Sequence, residues 1–130
     1  MRPEILEKIT ANKNMTTISL VDMEIEDYEI KEIIETIKQR KPTPTIIDLD
    51  RNKITDEGAV TLSEQLSDFN EITQLSIQFN NIGRIGAIHL FRLKKDFSEL
   101  DILFHGNKIK NVSEMDEIEH LALQETPRLS

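Results

Sequence analysis

A pattern of residues around Asn52 recurs around Asn80, 28 positions later. Apolar residues precede each Asn by five and three positions and follow it by two, and a Gly stands six positions after it. The residues that fill these positions are Ile47, Leu49, Ile54 and Gly58, and then Leu75, Ile77, Ile82 and Gly86. A fixed period of this length indicates a chain built from stacked repeats. It therefore constrains the fold more than any other feature of the sequence.

The same frame extends in both directions with weaker matches. Upstream by 29 residues the central position is Met23, and downstream by 27 residues it is Asn107. The accompanying apolar residues are Ile18, Leu20 and Ile25 in the first case and Ile102, Phe104 and Ile109 in the second. Ile5 and Ile9 match the helical positions of the frame, so we expect the sequence to begin in the helical half of a repeat.

Each part of the repeat has a physical interpretation. The alternating apolar pair predicts a short strand of a parallel sheet with one buried face. The Asn stands where the chain turns away from the sheet, and its amide can both donate to and accept from buried backbone groups. An ordinary turn residue is the alternative interpretation. Gly58 and Gly86 favour a permissive backbone position before the helix.

The pattern "LxxLxLxxNxI", followed by Gly and an amphipathic helix, resembles the leucine-rich repeat of the long, ribonuclease-inhibitor-like class. The segment "ITQLSIQFNNIGRIGAIHL" (Ile72–Leu90) matches it best, and the resemblance covers residues 1–111. It implies an α/β solenoid with a short parallel β-sheet on the concave face and helices on the convex face. The sequence departs from the pattern at Met23 and Glu29, where the family has Asn and Gly, and after Asn107, where the Gly is absent.

We therefore predict a single leucine-rich-repeat domain over residues 1–123. It comprises a half-repeat at 1–14, repeats at 15–43, 44–71, 72–98 and 99–111, a capping helix at 112–123 and a flexible tail at 124–130. The expected strands are 17–21, 46–50, 74–78 and 101–105, and the expected helices are 3–11, 27–40, 57–68, 85–95 and 112–123.

Charge and composition exclude several classes of function. The net charge is −8 and the basic residues are scattered, which argues against binding to nucleic acid, since phosphates need a basic stripe. No apolar run approaches the length of a membrane span. The absence of Cys excludes disulfides, thiolate metal sites and a Cys nucleophile. No leader-like apolar run is present near Met1, so we expect a cytoplasmic protein.

The residues between the buried strand positions are expected to point outward from the sheet, and any binding site should lie there. Phe79 is the leading candidate, because exposed aromatic side chains amid polar neighbours concentrate binding energy at interfaces. The alternative is that Phe79 only covers the sheet or packs under adjacent loops. The predicted partner-binding residues are Val21, Asp48, Asp50, Arg51, Gln78, Phe79, Leu103 and His105.

The sequence predicts no catalytic, cofactor-binding or metal site. His105 and Asp50 fall two strands apart, and parallel strands are about 4.8 Å apart, so these two side chains cannot share a metal ion. Asp48 and Asp50 share a face and could form a carboxylate pair, but no acid, base or metal partner is evident, and a solvated strand face explains them better. Asp22 and Arg51 are neighbours in their row and could form an ion pair of little energetic value.

The leading functional hypothesis is a non-enzymatic protein-interaction module, an adaptor or inhibitor, that binds a partner protein through the concave sheet. The alternative is a GTPase-activating regulator of a nucleotide-binding protein, with Arg51 as the acting residue. Short proteins of this repeat class also resemble effectors that intracellular bacteria secrete into the host cytosol. The C-terminal "SEMDEIEHLALQETPRLS" accordingly has three interpretations: an acidic cap, a secretion signal or a binding element.

Overall fold

The four predicted strands form one parallel sheet in the order of the sequence. The computed structural model describes residues 1–11 and 15–124. The strands are β1 (Thr17–Ser19), β2 (Ile46–Asp48), β3 (Gln74–Ser76) and β4 (Asp101–Leu103), and the sheet order is β1-β2-β3-β4. The expectation of a short parallel sheet is confirmed, although each strand ends two residues earlier than predicted.

One helix precedes β1, and each strand is followed along the chain by one or two helices. They are α1 (Pro3–Thr10), α2 (Ile30–Lys38), α3 (Asp56–Leu66), α4 (Arg84–Phe91), α5 (Leu93–Asp96) and α6 (Val112–Leu123), and a single 3-10 turn, Asp27–Glu29, precedes α2. Helix α1 packs on α2, α2 on α3, α3 on α4, and α4 on α6. Each repeat thus contacts its neighbours through both its strand and its helix. Within the described part of the chain, no helix is both long and apolar enough to cross a membrane.

The core lies between the sheet and the helices. The central residues of the strands are paired in register, Ile18 with Ile47, Ile47 with Leu75 and Leu75 with Ile102. All four are buried and join one continuous hydrophobic cluster with the helices. Because successive side chains of a strand point to opposite faces, the alternation in the sequence decides which side chains enter this core.

The Asn residues join adjacent repeats through backbone groups, as the sequence predicts. The carboxamide oxygen of Asn52 accepts hydrogen bonds from the backbone N–H groups of Met23 and Ile25, each at 3.0 Å. Its nitrogen donates to the carbonyl oxygens of Leu20 and Leu49, each at 2.9 Å. Asn52 is only 6% exposed, so these bonds satisfy groups that water does not reach.

Gly58 and Gly86 differ from expectation, because both lie inside the first turn of a helix rather than at a permissive position before it. What they provide is space. A Cβ atom on Gly86 would lie 2.7 Å from a carboxylate oxygen of Asp56 and 2.9 Å from the Cα of the same residue. Asp56 itself accepts a hydrogen bond from the backbone N–H of Gly83 at 2.5 Å. The glycine therefore allows α3 and α4 to approach closely.

Helix α6 occupies the same place in the fourth repeat that α4 occupies in the third. It begins with Asn111, whose side-chain oxygen accepts a hydrogen bond from the backbone N–H of Glu114 at 2.9 Å, as an N-cap does. Its buried residues are Ile118 and Ala122. The interpretation of this helix as a cap, like the repeat boundaries, stays a prediction, and the predicted tail lies outside the described residues from 125 onward.

Candidate functional site

A row of residues with left-handed backbone runs along the sheet, one from each repeat, and Glu24 in the first repeat is left-handed as well, with a φ of +53°. The φ angles are +54° at Asp22, +57° at Arg51, +56° at Phe79 and +80° at Gly106. Each stands immediately before the central position of its repeat, and we call these four residues the left-handed row. For a bulky residue such as Phe79, this conformation is a genuine outlier that the surrounding structure must stabilise.

Two side chains of the left-handed row, those of Arg51 and Phe79, stack on one another. The guanidinium carbon of Arg51 lies 4.4 Å from the centroid of the Phe79 ring, which is a cation–π contact. The ring of His105 meets the ring of Phe79 edge-on, with centroids 5.5 Å apart. On its other side Phe79 lies against Gly106, where a Cβ atom would fall within 2.7 Å of the ring carbon Cε1. Three neighbours thus fix the orientation of a ring that is still 41% exposed.

The two Asp residues of the second repeat lie next to this stack and have different environments. The carboxylate of Asp50 accepts hydrogen bonds from the Ser76 hydroxyl at 2.6 Å and from the Gln78 backbone N–H at 2.7 Å. A further bond reaches it from the Gln78 side-chain nitrogen at 3.3 Å. Asp50 covers Ser76, which is buried although the sequence pattern places it on the outer face.

Asp48 is the less well stabilised of the two carboxylates. It accepts one hydrogen bond, from the backbone N–H of Asp50 at 3.0 Å. Burial raises the pKa of the Asp48 carboxyl above its ordinary value; that hydrogen bond opposes the rise and the charge of Asp50 adds to it. No described cationic side chain forms an ion pair with either residue. Neither of these neighbouring carboxylates is therefore neutralised by an ion pair within the described chain.

The structure brings together six of the eight residues predicted to bind a partner. Arg51, Phe79 and His105 form the stack, and Asp48, Asp50 and Gln78 form the adjoining polar network. Leu103 pairs with Ser76 in the sheet register and is half-buried. Val21 is 37% exposed and belongs neither to the stack nor to the polar network. These eight residues stay a prediction as a binding site.

Two details of this region differ from or add to the sequence-based expectation. Asp22 and Arg51 form no ion pair, because the guanidinium lies over Phe79 instead. Gly106 was not among the predicted site residues, yet it provides the space for the Phe79 ring. The sequence did contain a signal for Gly106. Gly106 and Asp22 stand at the same position of their repeats, and Gly and Asp tolerate positive φ better than other residues.

The arrangement suits recognition of a macromolecule better than chemistry at a reactive centre. Across residues 1–11 and 15–124, no three His, Asp or Glu side chains are grouped so that they could hold a metal ion. The outer face of the sheet instead presents the partly exposed aromatic ring and the guanidinium of the stack, together with the two carboxylates of the adjoining polar network. Such mixtures of an aromatic anchor and charged neighbours are typical of protein interfaces.

Comparison with known proteins supports the repeat interpretation. A family model described as Leucine Rich repeat matches residues 45–63, which contain β2, Asn52 and the start of α3. A solved structure of leiomodin-1 actin-binding site 2 (ABS2) is similar in fold, with a TM-score of 0.70 and 22% sequence identity. The similarity covers 91% of this chain and 70% of that chain. No curated protein matches the sequence.

Proposed function

We propose that this protein is a non-enzymatic interaction module that binds a partner protein through the outer face of its sheet, with Phe79 as the anchor. The observation that carries the proposal is the strained backbone of Phe79. A left-handed residue that is not Gly costs about 1–3 kcal/mol, and such strain is concentrated at functional sites. A Gly would satisfy the backbone at lower cost, so the ring is better explained by a use outside the fold.

The neighbours of Phe79 favour its role as an anchor. A side chain that is already fixed before binding loses little conformational entropy when a partner arrives. Arg51, His105 and Gly106 hold the ring in one orientation, and its outer part is open to solvent. The ring is thus prearranged to enter an apolar pocket on a partner.

The Asp48–Asp50 pair defines the charge that the partner presents. Neither carboxylate forms an ion pair with a described cationic side chain, and burial already disfavours the charged form of Asp48. A Lys or Arg side chain of a partner placed beside them would relieve this unfavourable environment. The pair therefore favours a partner that carries a basic residue near the pocket for Phe79, and it accelerates association most at low salt.

The finer features of the fold hypothesis belong to the same proposal. The repeat length of 27–29 residues supports the ribonuclease-inhibitor-like class, and sequential packing of strands and helices supports a solenoid. In that arrangement the outer face of the sheet is concave and the helices are convex. A concave sheet would partly enclose a partner segment that lies over Phe79.

The test begins with the isolation of a partner by affinity capture on the immobilised protein. Purified actin is one candidate to apply to the immobilised protein, because the similar leiomodin-1 structure is an actin-binding site. Affinity is then measured for the wild type and for Phe79→Ala. We expect Phe79→Ala to weaken binding by at least about 2 kcal/mol, or thirtyfold, as truncation of an aromatic hot spot does.

Two control variants distinguish the site from general effects. Tyr28→Ala removes another exposed aromatic ring, 79% exposed and in the turn before α2. Glu64→Ala removes a charge from the exposed surface of α3. Both controls should retain wild-type affinity, and circular dichroism should show that every variant is folded. Equal affinities of the Phe79→Ala and Tyr28→Ala variants would show that the binding site is not on the outer face of the sheet.

The cytoplasmic location and the secretion by an intracellular bacterium stay predictions from the sequence. The resemblance to secreted effectors of this repeat class supports them. A translocation assay with a reporter fused to the protein tests them, comparing the full chain with a chain that lacks residues 113–130. Translocation of both forms would show that the C-terminal segment is not the secretion signal.

A further inference from the structure

The C-terminal end of the sheet presents backbone groups that every inner repeat satisfies through the next repeat. The backbone N–H of Ile25 donates to the carboxamide of Asn52 at 3.0 Å, and that of Ile54 donates to Asn80 at 3.1 Å. The N–H of Ile82 donates to Asn107 at 3.0 Å. Ile109 holds the corresponding position in the fourth repeat, and no described acceptor lies opposite its N–H.

The carbonyl oxygens show the same difference. The carbonyl of Ile77 accepts a hydrogen bond from Asn80 of its own repeat at 3.1 Å and from Asn107 of the next at 2.9 Å. Among the described residues, the carbonyl of Phe104 accepts a hydrogen bond only from Asn107 of its own repeat, at 3.0 Å. The end of the fourth repeat therefore offers one donor, on Ile109, and one acceptor, on Phe104, in the arrangement that Asn107 fills one repeat earlier.

Within residues 1–11 and 15–124, no strand pairs with the outer edge of β4. In the inner repeats the backbone N–H of Ile77 donates to Leu103 at 3.0 Å, and that of Phe79 donates to His105 at 2.9 Å. The equivalent donors of the fourth repeat are those of Phe104 and Gly106, and no described residue accepts from them. Unpaired strand edges of this kind template the addition of another strand.

A cavity adjoins this edge. It has a volume of about 540 Å³ and lies between β4 and the start of α6. Ile102, Phe104, Ile109 and Met115 provide apolar lining, and one basic and one acidic residue, Lys110 and Glu119, also line it. We call the free edge of β4 and this cavity together the open end.

We propose that the open end binds an extended segment of a partner protein, which adds to β4 as a fifth parallel strand. The segment places apolar side chains in the cavity and, three residues after the second of them, a carboxamide between the Ile109 N–H and the Phe104 carbonyl. Its oxygen accepts from Ile109 and its nitrogen donates to Phe104. Its pattern is apolar-x-apolar-x-x-Asn, which is the spacing of Leu75, Ile77 and Asn80.

A second copy of this chain fits the open end less well. Head-to-tail addition would present β1, whose repeat carries Met23 in place of the Asn and so supplies no carboxamide. Two-fold pairing of β4 edges would bring two α6 helices together. Each α6 carries Glu114, Asp116, Glu117 and Glu119 without any Lys or Arg, so the two copies would repel each other. Charge thus favours a partner with basic residues near Glu119.

The open end adjoins the outer-face site at His105 and Gly106, which line the cavity and also contact Phe79, but its probe and its variants differ from those of the first proposal. The probe is a synthetic peptide with the sequence of residues 72–83, which carries the required pattern, titrated into the isotope-labelled full chain. We expect the amide resonances of Phe104, Gly106 and Ile109 to shift. A peptide with the Asn80→Ala change should bind about three- to tenfold more weakly, because it lacks the carboxamide.

A matched pair of protein variants tests the cavity. Met115→Arg places a charged side chain in the cavity and should weaken binding of the unmodified peptide. Ile85→Arg makes the same change at a residue of α4 that is 64% exposed and does not line the cavity, so it should leave binding unchanged. The comparison of the two peptides needs no protein variant, so it holds even if Met115→Arg fails to fold.

Four results would overturn the proposal. They are shifts at β1 or around Phe79 instead of the open end, equal affinities of the two peptides, no shifts at millimolar peptide, and equal binding by a folded Met115→Arg variant. Sedimentation of the protein without peptide tests whether a second copy of the chain binds at the open end. A dimer that perturbs the same amides without peptide would show that another copy of the chain fills the open end.

Discussion

Asn107 donates a hydrogen bond from its carboxamide to the carbonyl oxygen of Ile77 at 2.9 Å, and so joins the fourth repeat to the third. The same bond joins Asn80 to Leu49 at 3.0 Å and Asn52 to Leu20 at 2.9 Å. These buried side-chain bonds join successive repeats in addition to the backbone hydrogen bonds between them, and water does not replace them when they are lost. The stability of the fold should therefore depend on individual Asn residues.

Replacement of Asn80 by Ala should lower the free energy of unfolding by about 1–3 kcal/mol, because it leaves the buried N–H of Ile54 without an acceptor. Chemical denaturation measures the change. Asn81→Ala is the matched control, since Asn81 is the next residue along the chain and is exposed. Similar stabilities of the two variants would contradict the structural role of the Asn row.

Truncation of Leu75 to Ala should lower the free energy of unfolding by about 2–5 kcal/mol, because Leu75 is fully buried at the centre of β3 and a cavity would remain. Leu6→Ala makes the same change at a residue of α1 that is 44% exposed. Urea denaturation of both variants gives the comparison. A cost for Leu75→Ala no larger than that for Leu6→Ala would place β3 outside the core.

Two variants at position 79 separate backbone strain from loss of the ring. Phe79→Ala and Phe79→Gly both remove the aromatic side chain, but only Gly adopts a φ of +56° without strain. The Gly variant should therefore be more stable than the Ala variant by about 1 kcal/mol. Thermal or chemical denaturation of the pair decides the matter, and a more stable Ala variant would show that the backbone at Phe79 is not strained.

The raised pKa of Asp48 predicts a pH dependence of stability. A carboxyl whose pKa is higher in the folded chain than its unfolded value, about 3.9, holds its proton more firmly when folded. Its favourable contribution to folding is present at low pH and is lost as the pH rises through the folded pKa. Asp48→Asn keeps a hydrogen-bond acceptor and removes the charge, so its stability relative to the wild type should increase from pH 3 to pH 7.

Asp68 provides a control of opposite sign. A hydrogen bond from Lys38 and its charge hold the pKa of the Asp68 carboxyl below its ordinary value. That carboxylate contributes stability above its unfolded pKa, so Asp68→Asn should lose stability relative to the wild type over the same rise in pH. Denaturation of both variants at several pH values measures the two trends. Parallel trends would contradict the environment assigned to Asp48.

Hydrophobic periodicity predicted the sheet, the helices and the buried face because those features depend on which residues alternate along the chain. The strand ends were predicted less well. After Asp48 the backbone N–H of Asp50 bonds to a side chain, and at Arg51 the backbone becomes left-handed, so the regular sheet stops early. Such local hydrogen bonds leave no trace in the spacing of apolar residues.

The candidate site was predicted as a set of outward residues, but not as an arrangement. The frame correctly placed Arg51, Phe79 and Gly106 at equivalent positions in successive repeats. Which side chain lies on which depends on the backbone angles of that row, and these do not follow from hydrophobicity. Ser76 shows the same limit, since a carboxylate from the neighbouring strand covers a residue that alternation alone places in solvent.

The contact between Phe79 and Gly106 links two parts of the molecule thermodynamically. The ring belongs to the third repeat, whereas the backbone against which it rests belongs to the fourth, which among the described residues has a neighbouring repeat on one side only. Local unfolding of the fourth repeat would release the ring and return to Phe79 the rotational freedom that the fold removes. A ligand that stabilises the fourth repeat therefore increases the fraction of molecules in which Phe79 is correctly oriented. By the reciprocity of linked equilibria, a partner bound to Phe79 stabilises the fourth repeat to the same extent.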